Sequence, residues 1–299
     1  MNIFNSNIVI KENHKKADFK SYYVGYVNNE YDWENLINVM INALIEYVYG
    51  CSKCTFDGKN IAITFQKAIS RLKKKNQYEL KRTGDVGELL LHIILRDFFH
   101  TTPLVQKVHF KSSDEDAAKG FDIVHIKRIN EKMNLILGEA KLYKTADSGL
   151  TELLSDLKEH YNSCFLQKEF IIISEQIEDH SLLPNEIRND YEDIRNVLNE
   201  LMPKIINAQK NNLHLDCVFD NTMLVLFCAF KTDTCAKYKE ATEEFINELN
   251  LELEKIYTSF KNRNKCKLGN IVFVLFPLLD HDELIKKFLQ KMENKYGKF

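Results

Sequence analysis

The chain has little of what marks a secreted, fibrous or membrane protein. Its 299 residues include only four Pro and ten Gly, too few for long disordered linkers or a low-complexity tract. Seven cysteines are scattered from Cys51 to Cys266. An odd, unpatterned set reads as reduced thiols of a cytoplasmic protein rather than a disulfide framework. The longest apolar runs, Met223–Phe230 and Ile271–Phe276, are strand-length and far short of the roughly 20 residues a membrane span needs. Asn, Lys and Glu interrupt the first dozen residues, so no secretory leader is read there. The net charge of −2 gives no global pull toward a polyanion, so any such site has to be a local patch. A GxxxxGK(S/T) phosphate loop is missing too: Gly58-Lys59-Asn60 lacks the first glycine at the right distance and the hydroxyl. No nucleotide is therefore expected on this chain, and an ATP-driven step falls to another one. No GxSxG elbow or Cys–His–Asn set appears, which leaves hydrolysis through a covalent nucleophile without support.

What is present is an ordinary globular composition, 44% hydrophobic and 28% charged, long enough for one large or two modest domains. Residues 1–82 read as mainly helical. After Asp32, Leu36, Val39, Met40, Ala43, Leu44 and Val48 form a helical stripe, and a second helix is expected over Ile61–Gln77. The end of this region is basic: Lys67, Arg71, Lys73, Lys74, Lys75, Lys81 and Arg82, opposed only by Glu79. Such a run is either a solvated helix face or a DNA phosphate-contacting patch.

Residues 83–175 read as a core of helix, three strands, helix and strand. The helix runs from about Asp85 to Phe99, burying Leu89, Leu90, Ile93, Ile94 and Phe98. Short strands follow at Val105–Phe110 and Phe121–Lys127, the second joined by a polar turn to Leu135–Tyr143 as a hairpin. A helix over Asp147–Tyr161 and a continuous apolar strand at Glu169–Ser174 complete the core. Residues 176–299 read as an α/β extension packing on the same domain. It holds a helix over Glu186–Ala208 broken at Pro203, strands Leu213–Phe219 and Met223–Phe230 about Asn221, and a charged helix over Ala236–Phe260. The strand at Ile271 and a last helix over Asp282–Tyr296 follow.

Within that core lie three acids and a lysine. Glu88 sits on the helix, Asp122 on a strand, and Glu139 and Lys141 at the end of the next strand. An acid-x-Lys triplet alone means nothing, since the chain has six of them; only Glu139–Lys141 ends an apolar strand that follows an acid-bearing helix and strand. Residues two apart on a strand share a face, so Glu139 and Lys141 project together, and a hairpin brings Asp122 beside them. Two carboxylates and a backbone carbonyl, that of Ala140, suit the all-oxygen coordination of Mg²⁺ or Mn²⁺, with Glu88 in support through a water or on a second ion. Lys141 would orient the attacking water or stabilise the transition state. The plain alternative is a turn acid at Asp122 and an exposed Glu139–Lys141 pair worth about 0–1 kcal/mol.

The order Glu88, Asp122, Glu139-Ala140-Lys141 resembles the PD-(D/E)xK nuclease superfamily, whose restriction-endonuclease-like core has the same helix–three strands–helix–strand arrangement. More closely, DWENLINVMINALIEY, GDVGELLLH, KGFDIVHI and LGEAKLY are similar to the HamA nuclease family of Hachiman anti-phage defence. The likeness covers most of the chain and is strongest from Gly84 to about Leu154. The acid Asp122 follows Phe121 instead of the proline of the superfamily name. The resemblance implies a DNA-cleaving effector that works with, and is restrained by, a HamB-like helicase subunit. From another class stands a catalytically inactive, nuclease-like binding module that anchors or regulates the helicase.

Four other features compete for attention. Cys51 and Cys54 have zinc spacing but no second ligand pair. Asp280-His281-Asp282 has the side chains to bind a metal, yet it follows Pro277 and opens a helix, where Asp is an ordinary cap. His92, four residues after Glu88, shares its helix face and is either a helper at the acids or a hydrogen-bonded core or surface histidine, the second being the commoner case. The acidic run Glu240, Glu243, Glu244, Glu248, Glu252 and Glu254 is either a solvated face or a dock for a basic surface.

Overall fold

A computed structural model describes residues 6–49, 83–105, 120–160, 163–178, 185–211, 221–264 and 270–296. The chain enters through a short helix, α1 (Ser6–Val9), and two strands, β1 (Ile10–Lys15) and β2 (Phe19–Val24). A small hairpin of β3 (Tyr26–Val27) and β4 (Glu30–Tyr31) leads into α2 (Trp33–Tyr49). Next come α3 (Thr83–Asp97), β5 (Thr102–Val105), β6 (Ile123–Ile129) and β7 (Lys132–Tyr143). Helices α4 (Ala146–His160) and α5 (Ser163–Glu178), a 3₁₀ turn at Asn185–Asp190 and α6 (Tyr191–Asn211) precede β8 (Thr222–Lys231). The chain then runs through α7 (Asp233–Lys237), α8 (Glu243–Arg263), β9 (Ile271–Leu278) and α9 (His281–Tyr296).

Among the described residues, seven strands form one mixed sheet in the order β1-β2-β9-β8-β7-β6-β5. Its centre is parallel, β2 to β9, β9 to β8 and β8 to β7, while both margins are antiparallel. Central strands β8 and β9 are buried along nearly their whole length, as expected of parallel strands covered on both faces. Helices α2, α3 and α9 pack together on one face, and α4 and α8 pack on the other. Strand β7 shows the two faces by alternation. A Cβ on Gly138 would meet Leu91 and Leu95 of α3, whereas Tyr143 meets α4 at Gly149 and Lys141 meets it at Asp156.

Several expectations needed correction. Residues 6–49 are not helical throughout, because IKENHK and FKSYYV supply two sheet strands; IKENHK, the polar strand at the sheet margin, carries little apolar alternation. The segment Glu169–Ser174 is not a strand but the middle of α5. Phe170, Ile173 and Ile177 are buried and Ile171 is exposed, a spacing of three and four that belongs to a helix. Among the described residues, the strand that follows α4 into the sheet is β8, which pairs with β7 from Leu135↔Thr222 to Tyr143↔Phe230. Pro203 does not break its helix, since it lies inside α6. The charged helix expected over Ala236–Phe260 is two elements, because Thr232 and Thr242 each cap a helix of their own. The strand expected at Val105–Phe110 begins earlier, at Thr102; positions 106–110, the helix Ile61–Gln77 and the strand Leu213–Phe219 lie outside the described residues.

Candidate metal centre

The site is built where the β6–β7 ladder gives out, just before β6 begins. The β6–β7 hairpin turns through Asn130 and Glu131, with φ of 48° and 63°, the left-handed pair that a two-residue hairpin turn demands. From there the ladder runs regularly to Ile123↔Gly138 and ends. One step on, Asp122 turns its side chain into the ladder's place, and its Oδ2 accepts the Ala140 N–H at 2.9 Å. The Phe121 N–H is taken by Glu169 Oε2 of α5 at 3.2 Å. Both backbone donors are therefore satisfied by carboxylates where a main-chain partner would have been. A strand residue sends its N–H and C=O toward the same neighbour, so the Ala140 carbonyl points to the side on which Asp122 lies.

Glu139 and Lys141 project from the α4 face of β7. Glu139 is 4% exposed and sits in register with Leu226 and Lys141 with Cys228 on β8, an apolar floor. Burying a carboxylate among such residues is costly without a partner. Lys141 Nζ supplies one, donating to Glu139 Oε1 at 3.0 Å, and it also pairs with Asp156 of α4. His160, at the end of the same helix, places Nδ1 3.9 Å from Glu139 Oε2. Burial works to lower the Lys141 pKa, but the charges and hydrogen bonds of Glu139 and Asp156 outweigh it and hold the ammonium well above its usual range. Lys141 is a fixed cation.

Glu88 arrives from the opposite face. Gly87 lets α3 approach β7 so closely that a Cβ there would meet the Cβ of Leu142 at 3.2 Å. Glu88 is 6% exposed, and its Oε2 accepts the Tyr47 hydroxyl of α2 at 2.6 Å. Burial first, then the charges of Glu88, Asp85 and Asp122, hold the Tyr47 hydroxyl far above its ordinary pKa. Glu88 and Asp122 thus lie within electrostatic reach of one phenol.

The structure brings together Asp122 with Ala140, and Glu139 with Lys141; it does not gather all three acids onto one point. Among the described residues, the group of three acids or histidines whose ligand atoms fall within 4.8 Å of one another is Asp280, His281 and Asp282. That group sits at a helix N-terminus, where a cation opposes the helix dipole, and Asp280 is already held by Lys231 at 2.8 Å and by the Glu283 N–H. It reads as a cap. Four side chains around the acids were not anticipated: Tyr47, Asp156, His160 and Glu169. His160 follows from the buried spacing Leu153, Leu157, His160 of α4, with Asp156 one turn before it, while Glu169 was hidden by reading its helix as a strand.

The remaining candidates resolve simply. His92 is buried, with Nδ1 3.3 Å from His125 Nε2, and His125 takes Thr101 Oγ1 at 2.7 Å on its other nitrogen. Burial, then His92, pushes His125 well below its ordinary pKa, so it is a neutral core histidine. On the acidic helix, Glu248 holds Lys237 and Tyr238, Glu252 takes the Thr232 and Thr234 hydroxyls, and Glu254 meets Lys16. Those three carboxylates bind within the chain. The basic positions Lys67, Arg71, Lys73, Lys74, Lys75, Lys81 and Arg82, and the Cys51–Cys54 pair, lie outside the described residues. Among the described residues no helix is long and apolar enough to cross a membrane.

Comparison with known proteins adds one decisive finding. The family model HamA matches residues 2–292. The chain belongs to the HamA family. No curated protein and no solved structure gives a significant match. The family match runs from before β1 into α9, and so it takes in every described strand of the central sheet.

Proposed function

We propose that this chain is a metal-dependent DNA nuclease of the PD-(D/E)xK kind, the effector subunit of a Hachiman anti-phage complex that acts with a helicase. Membership in the HamA family supports the defence role. The observation that carries the chemistry is the end of β7: Glu139 and Lys141 side by side on one face, with the Asp122 carboxylate seated on the backbone of the residue between them. The donor set of Asp122, Glu139 and the Ala140 carbonyl is all oxygen, which fits Mg²⁺ or Mn²⁺. When bound, such an ion lowers the pKa of a water and offsets charge on the phosphate oxygens. Asp122 and Glu139 would hold it, and Glu88 would take part through a water or a second ion. Lys141, kept cationic by Glu139 and Asp156, would act on the nucleophile and the phosphate as a positive charge and hydrogen-bond donor, not as a base.

The test is nicking of supercoiled plasmid with Mg²⁺ or Mn²⁺, by the chain alone and with the helicase subunit and ATP. Glu139→Ala and Lys141→Ala should each lower the rate by at least about 100-fold, the scale for losing one group that stabilises developing charge. Folded wild-type protein that cuts under none of these conditions would favour a non-catalytic module that anchors the helicase.

A further inference from the structure

We infer that Tyr47, on a helix outside the acid motif, is a positioning residue that fixes the Glu88 carboxylate within the candidate metal centre; the inference rests on the metal-dependent reading above. Three observations carry it. Tyr47 is 8% exposed and Glu88 is 6% exposed, so neither can exchange its partner for bulk water. The hydroxyl has a single hydrogen, and it is given to Glu88 Oε2 at 2.6 Å, the short distance of a bond to a charged acceptor. The ring behind it packs against His92 of α3, with centroids 5.8 Å apart, on the same helix that carries the acid.

The anchoring of α2 makes that hydroxyl a fixed point. The neighbouring Glu46 accepts Arg96 Nη1 of α3 at 2.5 Å, and Arg96 in turn holds Asp97. Asp97 accepts the Ser6 hydroxyl at 2.5 Å. Consecutive residues at the end of α2 therefore grip α3 twice, Tyr47 at Glu88 and Glu46 two turns further along at Arg96. Partners of this kind orient metal-binding carboxylates, and their loss costs about 10–100-fold in metal affinity or activity.

The experiment titrates Mn²⁺ by isothermal calorimetry into wild type, Tyr47→Phe, Glu88→Gln and the double variant, with plasmid cleavage measured across the same Mn²⁺ range. Tyr47→Phe keeps the ring and removes only the hydroxyl. It should weaken Mn²⁺ binding by about 10–100-fold, with cleavage recovering at high Mn²⁺. The double variant should bind no more weakly than Glu88→Gln alone, because the two groups act as one unit. Wild-type affinity in Tyr47→Phe, or losses in the double variant that multiply, would overturn the positioning role and leave the nuclease reading standing. Wild type that binds no Mn²⁺ would instead overturn the metal-dependent reading, and the positioning role with it. Should Tyr47→Phe not fold, 4-aminophenylalanine at position 47 keeps the ring and a donor at the hydroxyl's place; Mn²⁺ binding within about threefold of wild type supports the role, and a loss equal to that of Glu88→Gln counts against it.

Discussion

Lys141 shows how far the charge state of one residue can be argued from its surroundings. Its pKa is raised in the folded chain by two carboxylates, against the opposing pull of burial. A raised folded value means that its stabilising contribution is complete below the ordinary lysine value of 10.5 and is lost only as pH rises through the folded value. Between pH 6 and 9 the ammonium therefore keeps its proton. The expected outcome is a Lys141 side-chain NMR signal, assigned by its loss in Lys141→Arg, that does not move across that range. A titration midpoint inside it would make Lys141 a candidate base and reverse its assigned role. At this scale the sequence was informative about the acids and the lysine, because each is a charged residue in an apolar strand or helix. Their supports were not legible: Tyr47 lies in an apolar stripe where it counts as core, and its hydroxyl acquires meaning only from a helix 41 residues away.

At the scale of elements, the meeting of α3 with β7 decides where Glu88 can go. Strand β7 has no side chain at Gly138, and Leu91 and Leu95 of α3 occupy the space. An added Cβ would lie 2.9 Å from Leu91 Cδ2 and 3.4 Å from the Ile123 Cβ, and Leu91 is fully buried with little room to turn. Gly138→Ala should thus destabilise the chain by about 1–3 kcal/mol, a fall of several degrees in Tm on a scale of roughly 2–4 °C per kcal/mol. Gly84→Ala, at the start of α3 and with nothing within 4 Å of the new Cβ, is the control and should leave Tm unchanged or slightly raised. Equal melting temperatures for the two variants would mean that α3 yields freely and that Gly138 does not set its height above the sheet. The hairpin and the Glu88 helix could be read from alternation and helical spacing because both are long and regular. Helix α5 could not, since three consecutive isoleucines satisfy the strand and helix patterns alike, and only the burial of Phe170, Ile173 and Ile177 tells them apart.

The whole molecule is tied together by the order of its sheet. The acids come from residues 83–141, yet the strand beside Glu139 and Lys141 is β8, and beyond it lie β9 and β2. Strands from the first 24 residues and from the last third of the chain thus form the centre and one margin of the sheet on which the candidate site is built. No local pattern in a sequence announces such pairing, because it joins segments more than 200 residues apart, Phe19 with Phe273 among them. A fragment of residues 83–175 would keep all four motif residues and leave β7 with a bare edge in place of β8, its apolar face uncovered. It should show no cooperative melt and no Mn²⁺-dependent stabilisation. In the full chain, Trp33 is the sole tryptophan and sits at the start of α2, so its fluorescence reports the N-terminal region while far-UV circular dichroism reports every helix. If one sheet makes one folding unit, the two signals should change at the same denaturant concentration. A Trp33 transition well before the other would mean that α2 detaches first. In that event the hydroxyl of Tyr47 would leave Glu88 while the sheet persists, and Mn²⁺ affinity should fall in step with the fluorescence.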